Sequence, residues 1–214
     1  MKTKIKVCGV TRLDQAMLME AMGIDFIGWN FVKTSERYVK PELVGEIIQE
    51  LGTKIVNVGV FKDQTSQEVK RIINETGIDA LQFHGTEPPS LLAQFDLPKI
   101  KVFAVDENFD PKVTEKYIDV CDYFLFDTKK GNQVGGTGET FDWLLLENME
   151  FGRPWFLAGG MSHLNSASAV AEIEPFGLDL NSKIEIKPGQ KDLILLQDAL
   201  TAIQFTEENC MGED

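Results

Sequence analysis

Cysteine and histidine are scarce in this chain of 214 residues, which has three cysteines and two histidines. The cysteines (Cys8, Cys121 and Cys210) are widely spaced and form no Cys-x-x-Cys pair. An odd number at this spacing argues against both a disulfide framework and a structural zinc site. The two histidines, His84 and His163, are too few for a metal site. We therefore predict no metal and a location in the reducing cytoplasm.

Long apolar runs and an excess of basic residues are absent too. No run approaches the roughly 18 apolar residues of a membrane-spanning helix, and the basic residues 1–6 are not followed by the apolar segment of a signal peptide. The 21 Lys and Arg are outnumbered by 34 Asp and Glu, and the formal net charge is −13. This charge argues against nucleic acid or an anionic membrane as a partner. An anionic ligand would need a local cluster of donors.

Short apolar segments alternate with segments of helical periodicity along the whole chain. The pattern predicts eight strands, at residues 5–8, 26–31, 54–61, 79–83, 99–105, 123–126, 155–158 and 178–181. It predicts eight helices, at residues 11–23, 41–51, 65–76, 87–95, 111–118, 141–148, 163–173 and 192–203. Thr11 is expected to cap the first helix.

Continuously apolar, β-branched strands are typical of a parallel sheet covered on both faces by helices. Eight units in about 200 residues favour an α/β fold of the closed kind, a single (β/α)8 TIM barrel with eight parallel strands and outer helices. An open doubly wound sheet is the alternative, but it usually has about five or six strands. The barrel is predicted to occupy residues 1–205, and residues 206–214 to form an acidic, disordered tail.

Two titratable residues stand at strand ends, where barrel enzymes carry their chemistry. Cys8 and Asp127 belong to opposite sides of the predicted ring and would face each other across its mouth. A thiol at a strand end is most often a small buried hydrophobic group, and an aspartate there can simply cap a loop. Facing a carboxyl group, the thiol becomes a candidate general base, since a modest lowering of its pKa would ionise it near neutrality. A carboxyl group in an apolar rim can stay protonated and act as an acid.

Several other segments at the predicted mouth are candidates for ligand binding. Gly159 and Gly160 precede a predicted helix start, which makes either a phosphate cradle or a plain turn. Arg37 is either solvated on its long loop or folded over the mouth, where its fork suits a carboxylate. His84 ends a strand and is expected to form structural hydrogen bonds. The Gly-rich loop 129–138 after Asp127 is predicted to be a mobile cover over the site.

Six motifs follow one another along almost the whole chain. They are residues 6–11 (KVCGVT), 35–39 (SERYV), 81–85 (LQFHG), Asp127 with 135–143 (GGTGETFDW), 157–160 (LAGG), and 178–182 (LDLNS) with Glu185 and 188–192 (PGQKD). In this order they resemble the motifs of the phosphoribosylanthranilate isomerase family of tryptophan biosynthesis. The resemblance covers residues 4–205.

The resemblance implies an Amadori rearrangement of N-(5-phosphoribosyl)anthranilate to 1-(2-carboxyphenylamino)-1-deoxyribulose 5-phosphate, by general acid–base catalysis and without a cofactor. Asp127 would protonate the furanose oxygen and Cys8 would remove a proton from the second sugar carbon. Arg37 would hold the anthranilate carboxylate. The implied substrate-binding residues are Arg37, His84, Asp179, Gly159, Gly160, Ser182 and Lys183. The only partner implied is the small-molecule substrate, and family members are monomers or homodimers.

One departure from the family pattern concerns Lys183, which stands where the family usually has a glycine. The lysine would either bind the phosphate by charge or point outward, and its side chain weakens the case for a backbone phosphate grip there. Two alternatives remain open. One is a related phosphosugar barrel enzyme, such as indole-glycerol phosphate synthase or a histidine-pathway sugar isomerase. The other is a non-catalytic barrel that binds a phospholigand.

Overall fold

The computed structural model describes residues 2–130, 133–134, 143–147 and 149–210. Eight parallel strands in these residues form the barrel: β1 (Lys4–Cys8), β2 (Phe26–Asn30), β3 (Val56–Phe61), β4 (Ala80–Phe83), β5 (Lys99–Val105), β6 (Tyr123–Lys130), β7 (Trp155–Leu157) and β8 (Gly177–Leu180). Their order is β5, β4, β3, β2, β1, β8, β7, β6, and pairing of β5 with β6 closes the ring. The predicted closed barrel is therefore confirmed.

Helices cover the outside of the barrel, although several are shorter than predicted. The α-helices are α1 (Leu13–Ala21), α2 (Pro41–Glu50), α3 (Ser66–Thr76), α4 (Pro89–Leu92), α5 (Ser166–Ile173) and α6 (Leu193–Cys210). The helices predicted at 111–118 and 141–148 are short 3₁₀ helices, Pro111–Tyr117 and Trp143–Leu146, and residues 141, 142 and 148 lie outside the described residues. None of the described helices is long and apolar enough to cross a membrane.

Two helix starts differ from the prediction because nearby polar side chains have other partners. Thr11 does not cap α1, since its hydroxyl donates a hydrogen bond to the carbonyl of Gly189 at 2.7 Å. Helix α5 begins at Ser166 rather than at residue 163. The side-chain Oδ1 of Asn165 accepts from the Ser162 backbone at 2.7 Å, which closes a turn in front of the helix.

The predicted boundary of the disordered tail is also corrected. Helix α6 continues through Cys210, so residues 206–210 are helical, and residues 211–214 lie outside the described residues. The extension has a tertiary contact, because the backbone N–H of Thr3 donates to Glu207 Oε1 at 2.5 Å. This bond joins the last turns of α6 to the residue that precedes β1.

Strand side chains alternate between the barrel interior and the layer under the helices. The interior floor is a cluster of apolar residues: Phe26, Val58, Ala80, Ile100, Val102, Leu125, Phe156 and Ala158. A larger apolar cluster fills the space between strands and helices. Two residues beyond Val58, Ala80 and Leu125, on the same side of their strands, stand Val60, Gln82 and Asp127, which line a cavity. The apolar floor thus supports a polar layer at the carboxyl ends of the strands.

The loop after Asp127 starts later than predicted, because β6 continues to Lys130. The end of β6 pairs in antiparallel register with a two-residue strand, Gln133–Val134. Residues 131–132 and 135–138 of the predicted cover lie outside the described residues, so its closing over the site stays a prediction.

Candidate active site

A cavity of about 600 Å³ opens at the carboxyl ends of the strands. Most of the predicted site residues line it: Cys8, Arg37, His84, Asp127, Gly159, Gly160, Asp179 and Ser182. Lys183 is the exception, because it is exposed on the 3₁₀ helix Ser182–Ile184 and lies outside this lining. Of the two possibilities considered for Lys183, the structure therefore supports the outward one, and its predicted role as a phosphate ligand is not supported by its position.

A second cavity, of about 860 Å³, lies at the amino ends of the strands, where Thr3, Pro154 and Phe176 line it. Its larger volume does not make it the better candidate. The cavity at the carboxyl ends holds the buried ionisable residues Cys8, Asp127 and Asp179, whose side chains supply acid–base chemistry.

Asp127 occupies the rim of the cavity with only 7% of its surface exposed. Burial raises the pKa of its carboxyl group to about 7, and the negative charge of Asp179 adds to this effect. Asp127 Oδ2 lies 4.0 Å from His84 Nε2, and Oδ1 has no hydrogen-bond partner among the described residues. The carboxyl group is therefore protonated in a large fraction of molecules at neutral pH, as a general acid requires.

Cys8 lies across the cavity at the end of β1, with its sulfur packed against Gly28 of β2. A Cβ atom on Gly28 would come within 2.8 Å of Cys8 Sγ, so the glycine makes room for the thiol. Burial raises the pKa of the thiol, although the positive charge of Lys6 opposes this. The direction is opposite to the lowering that would ionise the thiol near neutrality. In this state the thiol form predominates.

Arg37 is held at the cavity by an acidic residue that sequence reasoning did not select. Its Nη2 donates to Glu185 Oε2 at 2.6 Å, and its Nε donates to Oε1 at 3.0 Å. Glu185 also accepts from Lys191 Nζ at 2.8 Å and from the Gly189 backbone at 3.1 Å. Although burial works against it, these cations lower the pKa of the Glu185 carboxyl. Both Glu185 and Lys191 belong to the last of the six motifs, and this was the one feature of the sequence that could have identified them as site residues.

A buried ion pair lies beneath Cys8 and was also missed as a feature of the site. Lys6, on β1, is fully buried, and its Nζ lies 2.9 Å from Asp179 Oδ2 on β8. The available signal was a lysine between the apolar residues Ile5 and Val7, two positions before the thiol.

Gly159 and Gly160 border the cavity after β7 with φ angles of +84° and +69°. A Cβ atom on Gly159 would overlap Thr128 Oγ1 and lie 2.7 Å from the Thr128 backbone nitrogen. Glycine is therefore required at residue 159 for two reasons, backbone conformation and space. Because α5 starts only at Ser166, the predicted helix start cannot contribute to a cradle here, and the glycines and Ser182 are left as the candidate groups.

Within the described ranges there is no group of three or more His, Cys, Asp or Glu residues that could hold a metal ion. The chemistry available from these residues is proton donation by a buried carboxyl group and proton removal by a buried cysteine, both acting on a ligand in the cavity. Arg37 and the glycine turn supply places for anionic groups at the edge of the same cavity.

Comparison with known proteins gives one consistent result. Residues 5–202 match the family model of N-(5'-phosphoribosyl)anthranilate (PRA) isomerase. The N-(5'-phosphoribosyl)anthranilate isomerase of Petrotoga mobilis is 36% identical over 200 residues, which cover 94% of this chain and 96% of the relative. The crystal structure of the Thermotoga maritima phosphoribosyl anthranilate isomerase superposes with a TM-score of 0.87 at 30% identity, over 94% of this chain and 98% of that one.

A second similar structure is a phosphoribosyl anthranilate isomerase in complex with reduced 1-(o-carboxyphenylamino)-1-deoxyribulose 5-phosphate. Its TM-score is 0.84 at 28% identity, and the match covers 94% of this chain and 98% of that one. The similarity therefore extends over the whole barrel, including all eight strand ends.

Proposed function

The chain belongs to the N-(5'-phosphoribosyl)anthranilate isomerase family, and we propose on this premise that Asp127 and Cys8 are the general acid and general base of its reaction. The protein is an isomerase of tryptophan biosynthesis that converts N-(5-phosphoribosyl)anthranilate to 1-(2-carboxyphenylamino)-1-deoxyribulose 5-phosphate. The observation that carries the assignment of roles is the raised pKa of Asp127, about 7, in a cavity that it shares with Cys8.

In the proposed mechanism Asp127 donates its proton to the furanose ring oxygen. The bond between this oxygen and the first sugar carbon breaks, and the anthranilate nitrogen supplies electrons to form an iminium ion. Cys8, as the thiolate, then removes the proton from the second sugar carbon. The electron pair of that C–H bond neutralises the iminium and gives an enolamine, which tautomerises to the ketone. These are two proton transfers on opposite sides of one sugar, and the scheme uses no cofactor.

We assign the binding residues by matching each part of the substrate (carboxylate, phosphate and ribose) to the groups that line the cavity. Arg37 would hold the anthranilate carboxylate through the edge of its guanidinium group that does not contact Glu185. Gly159, Gly160 and Ser182 would bind the phosphate, since backbone N–H groups of glycine turns can approach anionic oxygens closely. His84 and Asp179, which line the same cavity, would contact the ribose.

The test is an assay of the purified protein with freshly made N-(5-phosphoribosyl)anthranilate, followed by the loss of anthranilate fluorescence. The wild-type protein should turn over the substrate, while Cys8→Ser and Asp127→Asn should lose most of the activity. General acid–base groups contribute about 10²- to 10⁴-fold each, which sets the expected losses. A wild-type rate equal to that of Asp127→Asn would overturn the role of Asp127 as the general acid.

The last part of the proposal concerns the oligomeric state of the protein and its location in the cell. The Thermotoga maritima relative is dimeric, and monomers of it have also been solved. For this chain we accordingly propose either a monomer or a homodimer in the cytoplasm, with its small-molecule substrate as the only partner. Analytical ultracentrifugation at two protein concentrations distinguishes the two states.

A further inference from the structure

Lys6 is a buried charge for which the proposed mechanism has no use. Its side chain is fully buried, and its Nζ donates to Asp179 Oδ2 at 2.9 Å. Lys6 and Asp179 also stand opposite each other in the parallel register of β1 and β8. Burying an ammonium group is unfavourable even when the group is paired, and a pair of apolar side chains often stabilises such a site at least as well. The pair therefore calls for an explanation other than stability.

The position of Lys6 relative to Cys8 supplies that explanation. They are two residues apart on β1, so both side chains face the barrel interior while Val7 faces the other way. Asp179 reaches the same place from β8 and lines the cavity together with Cys8. A cation held by a neighbouring strand thus lies directly beneath the thiol.

We propose that Lys6 is a positioning residue whose ammonium group, fixed by Asp179, stabilises the thiolate form of Cys8. This inference rests on the proposed role of Cys8 as the general base. In this role the positive charge of Lys6 raises the fraction of Cys8 that is ionised, in a buried site that otherwise disfavours the negative charge of the thiolate. Ionisation of the thiol releases its proton to the solvent, and the ammonium group of Lys6 remains charged throughout.

The charges around Cys8 come from four parts of the chain. Lys6 lies on β1, Asp179 on β8, Arg37 in the loop after β2 and Lys191 in the segment before α6. Burial is the main cause of the raised thiol pKa, and Lys6 opposes it more strongly than Lys191 does. Asp179 acts in the same direction as burial. Removing Lys6 and removing Asp179 should therefore change the thiolate population in opposite directions.

The experiment measures the rate of Cys8 alkylation by iodoacetamide as a function of pH, in the free enzyme and without substrate. The thiolate displaces iodide and forms the new carbon–sulfur bond, so the rate at a given pH follows the thiolate fraction. Peptide mass spectrometry reads out Cys8 separately from Cys121 and Cys210. The variants are Lys6→Met, which keeps the length of the side chain without its charge, and Asp179→Asn.

A nearby opposite charge shifts a pKa by about 1–3 units, so Lys6→Met should slow Cys8 alkylation at pH 8 by about tenfold or more. Asp179→Asn should accelerate it. The matched control is Lys101→Met, because Lys101 is another buried strand lysine, paired with Glu87 at 3.0 Å on the outer side of the barrel. This control should leave the Cys8 alkylation rate unchanged.

Opposite shifts in the two variants would support the proposal, whereas equal slowing in both would show a structural disturbance and overturn it. Unchanged alkylation in a folded Lys6→Met protein would overturn it as well. If Lys6→Met does not fold, the test rests on the Cys8 alkylation rate of Asp179→Asn. A raised rate supports electrostatic control of the thiol, and a rate that is not raised overturns the proposal. Because no turnover is measured, the result is independent of the catalytic role of Cys8, which the Cys8→Ser assay tests separately.

Discussion

The guanidinium group of Arg37 is fixed by Glu185, whose Oε2 lies 2.6 Å from Arg37 Nη2. The two residues are 148 positions apart in the chain. Glu185 is in turn held by Lys191, so the three side chains form one charged cluster at the edge of the cavity. An arginine that is oriented before the substrate arrives loses less side-chain entropy on binding than a solvated one. The cluster would therefore hold Arg37 in place for its proposed contact with the carboxylate of the substrate.

Arg37→Lys is predicted to lower kcat/KM about 10- to 100-fold, mainly through KM. Lysine keeps the charge but cannot maintain the planar fork that contacts Glu185 and the substrate together, and a hydrogen bond to a charged group contributes about 1.5–3 kcal/mol. Arg37→Ala should have at least as large an effect. Steady-state kinetics of the two Arg37 variants measure these losses, and thermal unfolding serves as the control for folding. Unchanged kinetics would mean that the carboxylate is bound elsewhere.

Glu185→Gln is predicted to raise KM while leaving kcat within a few-fold of wild type. The amide keeps one acceptor oxygen but loses the charge that orients both Arg37 and Lys191, so Arg37 should sample other positions. The same kinetic assay separates KM from kcat. A variant with normal KM and a reduced kcat would instead assign Glu185 to the chemical step.

The main features of the fold could be predicted from local pattern, because eight continuously apolar segments separated by helical periodicity favour a barrel. Helix starts were less predictable. The hydroxyl of Thr11 is bonded to Gly189, 178 residues away, and the Asn165 side chain closes a turn that delays α5. Such starts depend on tertiary partners, which propensity does not include.

In the candidate site, too, local pattern predicted some residues, whereas others depend on partners that are distant in the sequence. Cys8 and Asp127 could be selected because each stands at the end of a continuously apolar segment, and the ends of such strands meet at one face of a barrel. Lys6 could not be assigned, since its partner Asp179 is 173 residues away. The outward position of Lys183 was also undetermined in the sequence, because it depends on the 3₁₀ turn that buries the adjacent Ile184.

Gly159→Ala is predicted to weaken the binding of inorganic phosphate, measured as a competitive inhibitor, by about tenfold or more. The added methyl group would overlap Thr128 at a φ of +84°, so the turn must move away from the cavity. Gly77→Ala is the matched control, because Gly77 has a φ of +70° but no atom lies within 4 Å of the place that its added methyl group would occupy. Both variants should lose about 1–2 kcal/mol of stability from the left-handed backbone, and Gly159→Ala should lose more because of the overlap, but only Gly159→Ala should lose phosphate affinity.

Asp127→Asn is predicted to stabilise the fold, and increasingly so as the pH rises. The folded protein keeps the Asp127 proton up to pH about 7, whereas the unfolded chain releases it near the ordinary aspartate pKa, so the wild-type protein loses stability between these pH values. Between pH 5 and pH 7 this amounts to about two pKa units, or roughly 3 kcal/mol as an upper value.

Denaturant unfolding of Asp127→Asn and wild type at pH 5 and pH 8 measures this difference. The control is Asp119→Asn, which changes an exposed aspartate. A gap between Asp127→Asn and wild type that does not widen at pH 8 would show that burial does not penalise the Asp127 charge.

The pH dependence of kcat/KM is predicted to be bell-shaped, with an acid limb near pH 7 from Asp127 and an alkaline limb above the ordinary titration range of a cysteine thiol, because burial raises the pKa of Cys8. The active form needs protonated Asp127 and ionised Cys8, although Asp127 has the lower pKa of the two. The form with protonated Asp127 and ionised Cys8 is a constant minor fraction of the enzyme between the two pKa values, and this fraction falls at lower and higher pH. The two limbs of the profile therefore report the apparent pKa values of Asp127 and Cys8 as a coupled pair. The substrate phosphate titrates near pH 6, and the inhibition constant of inorganic phosphate measured over the same range corrects for it. An acid limb near pH 4 would mean that Asp127 titrates as an ordinary aspartate, and the proposed general acid would then be ionised at neutral pH.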